Sequence, residues 1–374
     1  MKFPVLILVP VILFTACISS GLTEDFIFDP DAHPAQLTTR GTSIVFACKP
    51  DNTIRLKGLN IPGAEYMKVP AEEHIMRSTV AAIKDWKANI IRLPVDLNAW
   101  NGKRLWGYPG EPPSDGGAEC RKQIKEIIDF ISESGSYCIL DLHHFESFTQ
   151  EAKDFWIEVA NMDYYKNNPF VLFGILNEAH SVSWKVWRDG DGKGKIGHQE
   201  VIEAIRDAGA KNIIVAGGLS YAYDLRGVTG DAPGDNTVYA LLDQGSDNDL
   251  SKRGYGIIYD THIYPWHDNW DENVGQTRLK YPLIVGEVGF DYDDPIQKQY
   301  RSSLKHDEWV PSIFNWINNK GYKYPGPVSW IGWCFNPSAT PRILAEKENW
   351  NKSDYSYPPS EFWGVFVKAE LEKK

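Results

Sequence analysis

The feature that most constrains this chain is an alternation that begins near residue 54 and runs to the C-terminus. Short apolar runs alternate with stretches whose apolar residues recur at helical spacing. Asn89–Val95, Tyr137–His144, Val171–Glu178, Asn212–Gly217, Gly256–Tyr264, Leu283–Gly289 and Ser329–Phe335 read as strands. Several are continuously apolar, the pattern of parallel strands buried on both faces. A further strand, ending near Asn60, grows out of a hairpin. Its arms are Ser43–Ala47 and Ile54–Leu56, and its turn contains Pro50, Asp51 and Asn52. Between strands, Lys122–Ser134 sets Ile124, Ile127, Ile128 and Ile131 on one helical stripe. Ala71–Trp86, Gln199–Ala208, Trp309–Asn318 and Ser360–Lys374 read the same way. Eight strands alternating with helices predict an α/β fold, a (β/α)8 barrel preceded by a short β-hairpin. A doubly wound open sheet is the alternative. No glycine-rich phosphate loop follows the first strand, which weighs against it.

The N-terminus reads as a targeting segment. Val5–Phe14 is an apolar run after a weakly basic start, too short to span a bilayer but suited to a signal-peptide core. It ends in Phe14-Thr15-Ala16-Cys17, which resembles the lipobox of bacterial lipoproteins, in which the cysteine is lipidated. Residues 1–16 are expected to be a signal peptide, Cys17 a lipid-anchored N-terminus, residues 17–39 a tether and residues 40–374 one catalytic domain. Export follows from either a lipidated or an ordinary cleaved signal. Export permits disulfides among Cys48, Cys120, Cys138 and Cys334, and their pairing stays open. Cys138 and Cys334 lie in strand patterns as buried thiols. The net charge of -11 disfavours nucleic acid and anionic membrane surfaces as partners. A neutral substrate is compatible, and a monomer is expected.

Polar residues collect where the strands end. In a barrel that end carries the active site. The positions are Asn60, Arg92, Asp141-Leu142-His143-His144, Asn177-Glu178, His262-Ile263-Tyr264, Glu287, and Trp330 with Trp333. A period of two puts His262 and Tyr264 on one face. Ionised glutamates are rarely buried without partners, so two at apolar strand ends point to chemistry. Glycoside hydrolysis needs such a pair: one carboxyl protonates the leaving oxygen, and the other captures the oxocarbenium-like centre. Arg92 and Tyr264 are candidate donors to the second.

At these residues the chain resembles the family-5 glycoside hydrolases, the cellulase family, from the hairpin to the C-terminus. Asn177-Glu178 matches the family's acid/base motif and Glu287 its nucleophile. Arg92, His143, His262, Tyr264 and Trp333 match positions around the scissile bond. Asn60 and His144 resemble secondary sugar-binding positions. The resemblance implies a retaining, cofactor-free and metal-independent hydrolase, with β-1,4-glucan as substrate. Mannan and xyloglucan hydrolysis are alternatives on the same scaffold. The family usually carries proline after the acid/base glutamate, where this chain has Ala179.

Other readings compete. Asp141, His143 and His144 are conceivable metal ligands, but no second His or Cys cluster supports a cage. Trp184, Trp187, Trp266 and Trp270 follow strands four and six, as sugar platforms or as loop packing. A barrel that binds polysaccharide without cleaving it would be expected to lack one of the two glutamates.

Overall fold

The computed structural model describes residues 35–67, 70–103, 111–166, 168–291, 306–345 and 347–373. The signal, Cys17 and most of the expected tether lie outside the described residues. Eight parallel strands close into a barrel in the order β4 (Lys57–Asn60), β5 (Ile90–Val95), β6 (Tyr137–Leu142), β8 (Val171–Gly174), β10 (Ile214–Gly217), β11 (Ile257–Ile263), β12 (Leu283–Val288) and β13 (Ser329–Gly332), which returns to β4. Closure removes the open-sheet alternative. Two short strands outside the barrel, β7 (Phe145–Glu146) and β9 (Glu178–Ala179), pair with each other. The eight barrel strands are those expected from sequence, most of them shorter by a few residues at the polar end. Nearly every residue in them is buried, which explains why their sequences lack alternation.

Helices cover the outside. Ala118–Glu133 turns Ile124, Ile127, Ile128 and Ile131 inward. Gln150–Asn161 does the same with Ala152, Phe155, Trp156 and Val159, and Thr149 caps it by accepting from the Ala152 amide. Eight of the fourteen tryptophans are less than 2% exposed, so most of the aromatic excess fills the core rather than the cleft. Each such burial contributes about 1.5–3 kcal/mol.

The N-terminal element differs from the expected hairpin. It is a three-stranded antiparallel sheet of β1 (Leu37–Arg40), β2 (Ser43–Phe46) and β3 (Lys49–Thr53). The turn lies at Ala47-Cys48, and Pro50, Asp51 and Asn52 sit inside β3. All of β3 is exposed, so no buried face marked it as a strand. Leu37, Ile44 and Val45 are buried. The Thr39 amide bonds the Tyr255 carbonyl at 2.9 Å, just before β11. The sheet therefore floors the barrel at the N-terminal ends of its strands, and the folded body begins before residue 40. All four described cysteines are free, with Cys48 exposed and Cys120, Cys138 and Cys334 buried.

Candidate active site

The barrel register sets the site. Asn60 on β4 faces Arg92 on β5, and His262 on β11 faces Glu287 on β12. Arg92 is 1% exposed and its guanidinium bridges four oxygens. One Nη1 donates to Glu287 Oε1 at 2.8 Å and Asn60 Oδ1 at 3.0 Å. Nη2 donates to Asn177 Oδ1 at 2.6 Å and pairs with Asp141 Oδ1 at 2.9 Å. Burial works against the charged guanidinium, but Asp141, Glu287 and Asp260 outweigh it and hold Arg92 above its ordinary value. Planar, multi-pronged donation of this kind suits arginine and not lysine.

Glu287 receives a second donor at its other oxygen: Tyr264 Oη donates to Oε2 at 2.5 Å. Burial first, then Glu287 and Glu178, push the Tyr264 hydroxyl well up, so it stays a donor. His262 Nδ1 lies 2.9 Å from Glu178 Oε1 and 3.5 Å from Glu287 Oε2. Its Nε2 lies 3.5 Å from Asp260 Oδ2. Burial disfavours the imidazolium, but Glu287, Asp260 and Glu178 outweigh it and push His262 up to about 10. At neutral pH the ring is charged and donates between the two glutamates.

Asp260 was not singled out from the sequence, although the period of two that joins His262 to Tyr264 also includes it. Its carboxylate accepts from the Gly286 amide at 2.6 Å. A Cβ at Gly286 would come within 2.3 Å of Asp260 Oδ2. The glycine before Glu287 is thus required by close approach of the carboxylate. The Gly286 carbonyl in turn accepts from Asn60 Nδ2 at 2.8 Å.

One oxygen each of Glu178 and Glu287 and one ring nitrogen of His262 lie within 4.8 Å of one another. Among the described residues this is also the group whose atoms could surround a cation. A cation there would have to displace the His262–Glu178 bond and compete with the Arg92 and Tyr264 bonds to Glu287. The Asp141, His143 and His144 set does not converge in that way. His143 Nδ1 bonds Asp141 Oδ2 at 3.0 Å, and that bond raises His143 against the lowering effect of burial. His144 is half-buried. Burial lowers it, and the charges it senses are Asp96, Glu151 and Glu146 rather than the central pair.

Aromatic rings line the mouth. Trp333 stacks parallel to His143, with centroids 5.8 Å apart, and donates to the Thr340 carbonyl. Trp266 lies parallel to Tyr264 at 4.9 Å. Trp184 and Trp187 are buried on the helix Trp184–Asp189, and Trp270 packs edge-on against Trp309, so these three pack the body and are not platforms. Sequence reasoning passed over Tyr221. It is 52% exposed and stacks on His180 at 4.2 Å, and its amide donates to the Ala179 carbonyl beside Glu178. Ser220, Tyr221 and Ala222 all have φ near +60°. Three successive non-glycine residues in that region store strain, which concentrates at functional sites. Glu65 was also missed. Burial and Asp141 push its carboxyl up to about 7, against His143 and the Gly63 amide.

The cellulase family, glycosyl hydrolase family 5, matches residues 49–339, more than half of the chain. The chain belongs to this family. Endoglucanase MaCel5A of Microbulbifer sp. (strain ALW1) is 23% identical over 321 residues, 81% of this chain and 55% of that protein. Endoglucanase Z of Dickeya dadantii (strain 3937) is 27% identical over 157 residues, 41% of this chain and 33% of that protein. The matches thus span about a third to a half of these relatives' lengths. Among solved structures, the β-glucanase SdGluc5_26A from Saccharophagus degradans in complex with cellotetraose superposes with a TM-score of 0.66. It is 20% identical, with 92% of this chain and 95% of that chain covered. That likeness confirms the barrel. No helix among the described residues is long and apolar enough to cross a membrane.

Proposed function

We propose that the protein is a retaining glycoside hydrolase that cuts internal β-1,4 linkages of glucans, with Glu287 as nucleophile and Glu178 as acid/base. The observation that carries this is the carboxylate separation. One oxygen of Glu178 and one of Glu287 lie within 4.8 Å, which supports a retaining pair, whose carboxyls stand about 5–5.5 Å apart, over an inverting pair at about 6.5–9.5 Å.

The residues divide the work by their contacts. Glu287, held at both oxygens by Arg92 and Tyr264, attacks the anomeric carbon. Glu178 gives its proton to the departing glycosidic oxygen, and the Glu287–sugar ester forms. Glu178 then takes a proton from water as the water attacks the same carbon, and the ester breaks. Two inversions leave the β configuration. Asn177, fixed by Arg92, offers its amide to a hydroxyl beside the reacting carbon. Trp333 and His143 stack one sugar face on one side, and Tyr221 offers a second platform beyond Glu178. Platforms on both sides suit cleavage inside a chain. Asn60 acts through Arg92 and Gly286, and His144 lines the rim.

The test is a panel of carboxymethyl-cellulose, mixed-linkage β-glucan, xyloglucan, glucomannan and galactomannan, with the product anomer read by NMR. β-Configured products from glucans are expected. A preference for galactomannan makes the enzyme a mannanase, and α-configured products overturn the retaining pair. For localisation, we infer export with a lipid anchor at Cys17. Cys17→Ala should release the protein from bacterial membranes or block its processing; unchanged fractionation and maturation refute the anchor.

A further inference from the structure

The floor of the barrel holds a second unusual polar arrangement, at the end opposite Glu178 and Glu287. A cavity of about 180 Å³ opens between the N-terminal sheet and the starts of β12 and β13. Ser43, Thr53 and Arg55 line it from the sheet side, and Arg278, Leu283 and Ser329 from the barrel side. One water needs about 10–15 Å³, so the space is large enough for a polyatomic guest.

The two arginines are fixed but incompletely used. Arg278 is 3% exposed. Its Nη1 and Nη2 donate to the Trp316 and Gly326 carbonyls at 2.9 and 2.7 Å. Its guanidinium carbon lies 4.7 Å from the Trp316 ring and 4.2 Å from the Tyr324 ring. Its Nε has no partner. Arg55 donates through Nε to the Val328 carbonyl at 2.8 Å, while its buried Nη2 has no partner. The nearby acids are committed elsewhere. Asp271 accepts from the Trp316 indole and the Tyr324 hydroxyl. Glu370 accepts from Asn318 and pairs with Lys373.

We infer that this cavity is a binding site for a small oxyanion, held between the Arg55 and Arg278 guanidiniums and the hydroxyls of Ser43 and Thr53. Buried donors are nearly always satisfied, and exceptions mark an unrecorded water or ion. Water would supply acceptors but no charge. Burial, and for Arg278 the neighbouring Arg55 charge, lower both guanidiniums, Arg278 to about 10. An anion relieves both effects at once. Guanidinium N–H groups match the spaced oxygens of sulfate, phosphate or carboxylate. The chain as a whole carries -11, so this positive spot does not come from general basicity. A guest here touches the sheet through Ser43 and Thr53, the link to β4 through Arg55, and the barrel side through Arg278 and Ser329, and clamps one to the other.

Equilibrium dialysis of the full chain against radiolabelled sulfate and phosphate tests the site. One saturable site per chain is expected. So is a saturable rise in Tm of roughly 3–8 °C at a hundredfold excess over Kd, which sodium chloride at matched ionic strength does not reproduce. Arg55→Met should weaken binding at least tenfold and leave polysaccharide hydrolysis unchanged, since the site is at the far end of the barrel. Arg278→Lys serves where Arg55→Met misfolds. Competition by acetate or glucuronate, against competition by phosphate alone, distinguishes a carboxylate source from an inorganic one, and either supports an oxyanion site. Absence of saturable binding to the wild type overturns the inference, and leaves water as the guest. Binding unaffected in a folded variant also overturns it, as does chloride matching sulfate.

Discussion

Glu178→Ala separates the two carboxylates by chemistry. On polysaccharide the variant loses its proton donor, and general acid–base assistance is worth about 10²–10⁴-fold. A dinitrophenyl β-cellobioside expels dinitrophenolate without protonation, so its first step survives and the glycosyl-enzyme accumulates. The structure indicates what happens next. His262 Nδ1 faces Glu178 Oε1 at 2.9 Å, and the ring is pushed up to about 10 by Glu287, Asp260 and Glu178 against its burial. Truncation empties the space beside a charged donor, and azide is a small anion that fits there. Azide should restore turnover by about 10–100-fold, part of the assistance lost, and yield a β-glycosyl azide. In that intermediate Glu178 is truncated and Glu287 is an uncharged ester, so only Asp260 still favours the charged ring against its burial; His262 then loses its proton well below pH 10, and rescue should fade as pH rises. The assay is release of dinitrophenolate, with NMR of the azide product. An α-azide refutes the retaining pair, and full activity of Glu178→Ala on polysaccharide refutes the acid/base assignment.

Arg92→Met leaves Glu287 and Asp141, whose side chains are 5% and 2% exposed, without their shared cation. Urea unfolding at pH 7 should show a loss of about 3–5 kcal/mol, and a loss below about 1 kcal/mol contradicts the charge account. Glu65, pushed up to about 7 by burial, keeps its proton in the folded state between about pH 4.5 and 7, where the unfolded chain gives it up. Stability therefore falls as pH rises through that window, and the full penalty holds above it. Glu65→Gln should be more stable than wild type by about 1–2 kcal/mol at pH 8, with solvent at this half-buried group relieving part of the shift, and should match it near pH 4.5; equal Tm differences at both pH values contradict it. Tyr221→Ala should lower kcat/KM on polysaccharide by about 2–12-fold, the worth of one stacked ring at about 0.5–1.5 kcal/mol. It should also reduce transglycosylation, and it should spare dinitrophenyl β-cellobioside. Equal loss on both substrates makes Tyr221 structural.

What was legible in the sequence follows from burial. The barrel strands are apolar on both faces because both faces are covered, and their first polar residues mark the mouth. Asn60, Arg92, Asn177, Glu178, His262, Tyr264 and Glu287 converge for that reason. β3 was misread because every residue in it is exposed, so composition resembled a turn. The helix Gln150–Asn161 was readable from Ala152, Phe155, Trp156 and Val159 with its Thr149 cap, and Asp260 from its spacing to His262. Glu65 and Tyr221 were not readable. The first is unusual only because His143, Asp141 and the fold surround it, and the second only through backbone angles and a stack on His180. Trp184 and Trp187 show the converse: their place after strand four suggested a platform, and they sit on a helix whose packing buries both.

The substitution of Ala179 for the family's usual proline marks the one departure beside the chemistry, and the backbone there explains why it is tolerated. Glu178 and Ala179 form a two-residue strand paired with Phe145 and Glu146. The Glu178 amide donates to the His144 carbonyl and the His180 amide to the Glu146 carbonyl, while the Ala179 carbonyl accepts from Tyr221. Neither ladder bond uses the Ala179 N–H, so a proline would forfeit nothing there and an alanine gains nothing. The chain leaving Glu178 is held by its neighbours on both sides instead of by a ring at residue 179. The same frame accounts for the asymmetry of the pair. Glu287 is fixed at both oxygens and 5% exposed, which suits the nucleophile proposed for it, a group that forms a bond in one geometry. Glu178 is tied at one oxygen and its side chain is 16% exposed, which suits the proposed acid/base, a group that must meet first a leaving group and then water.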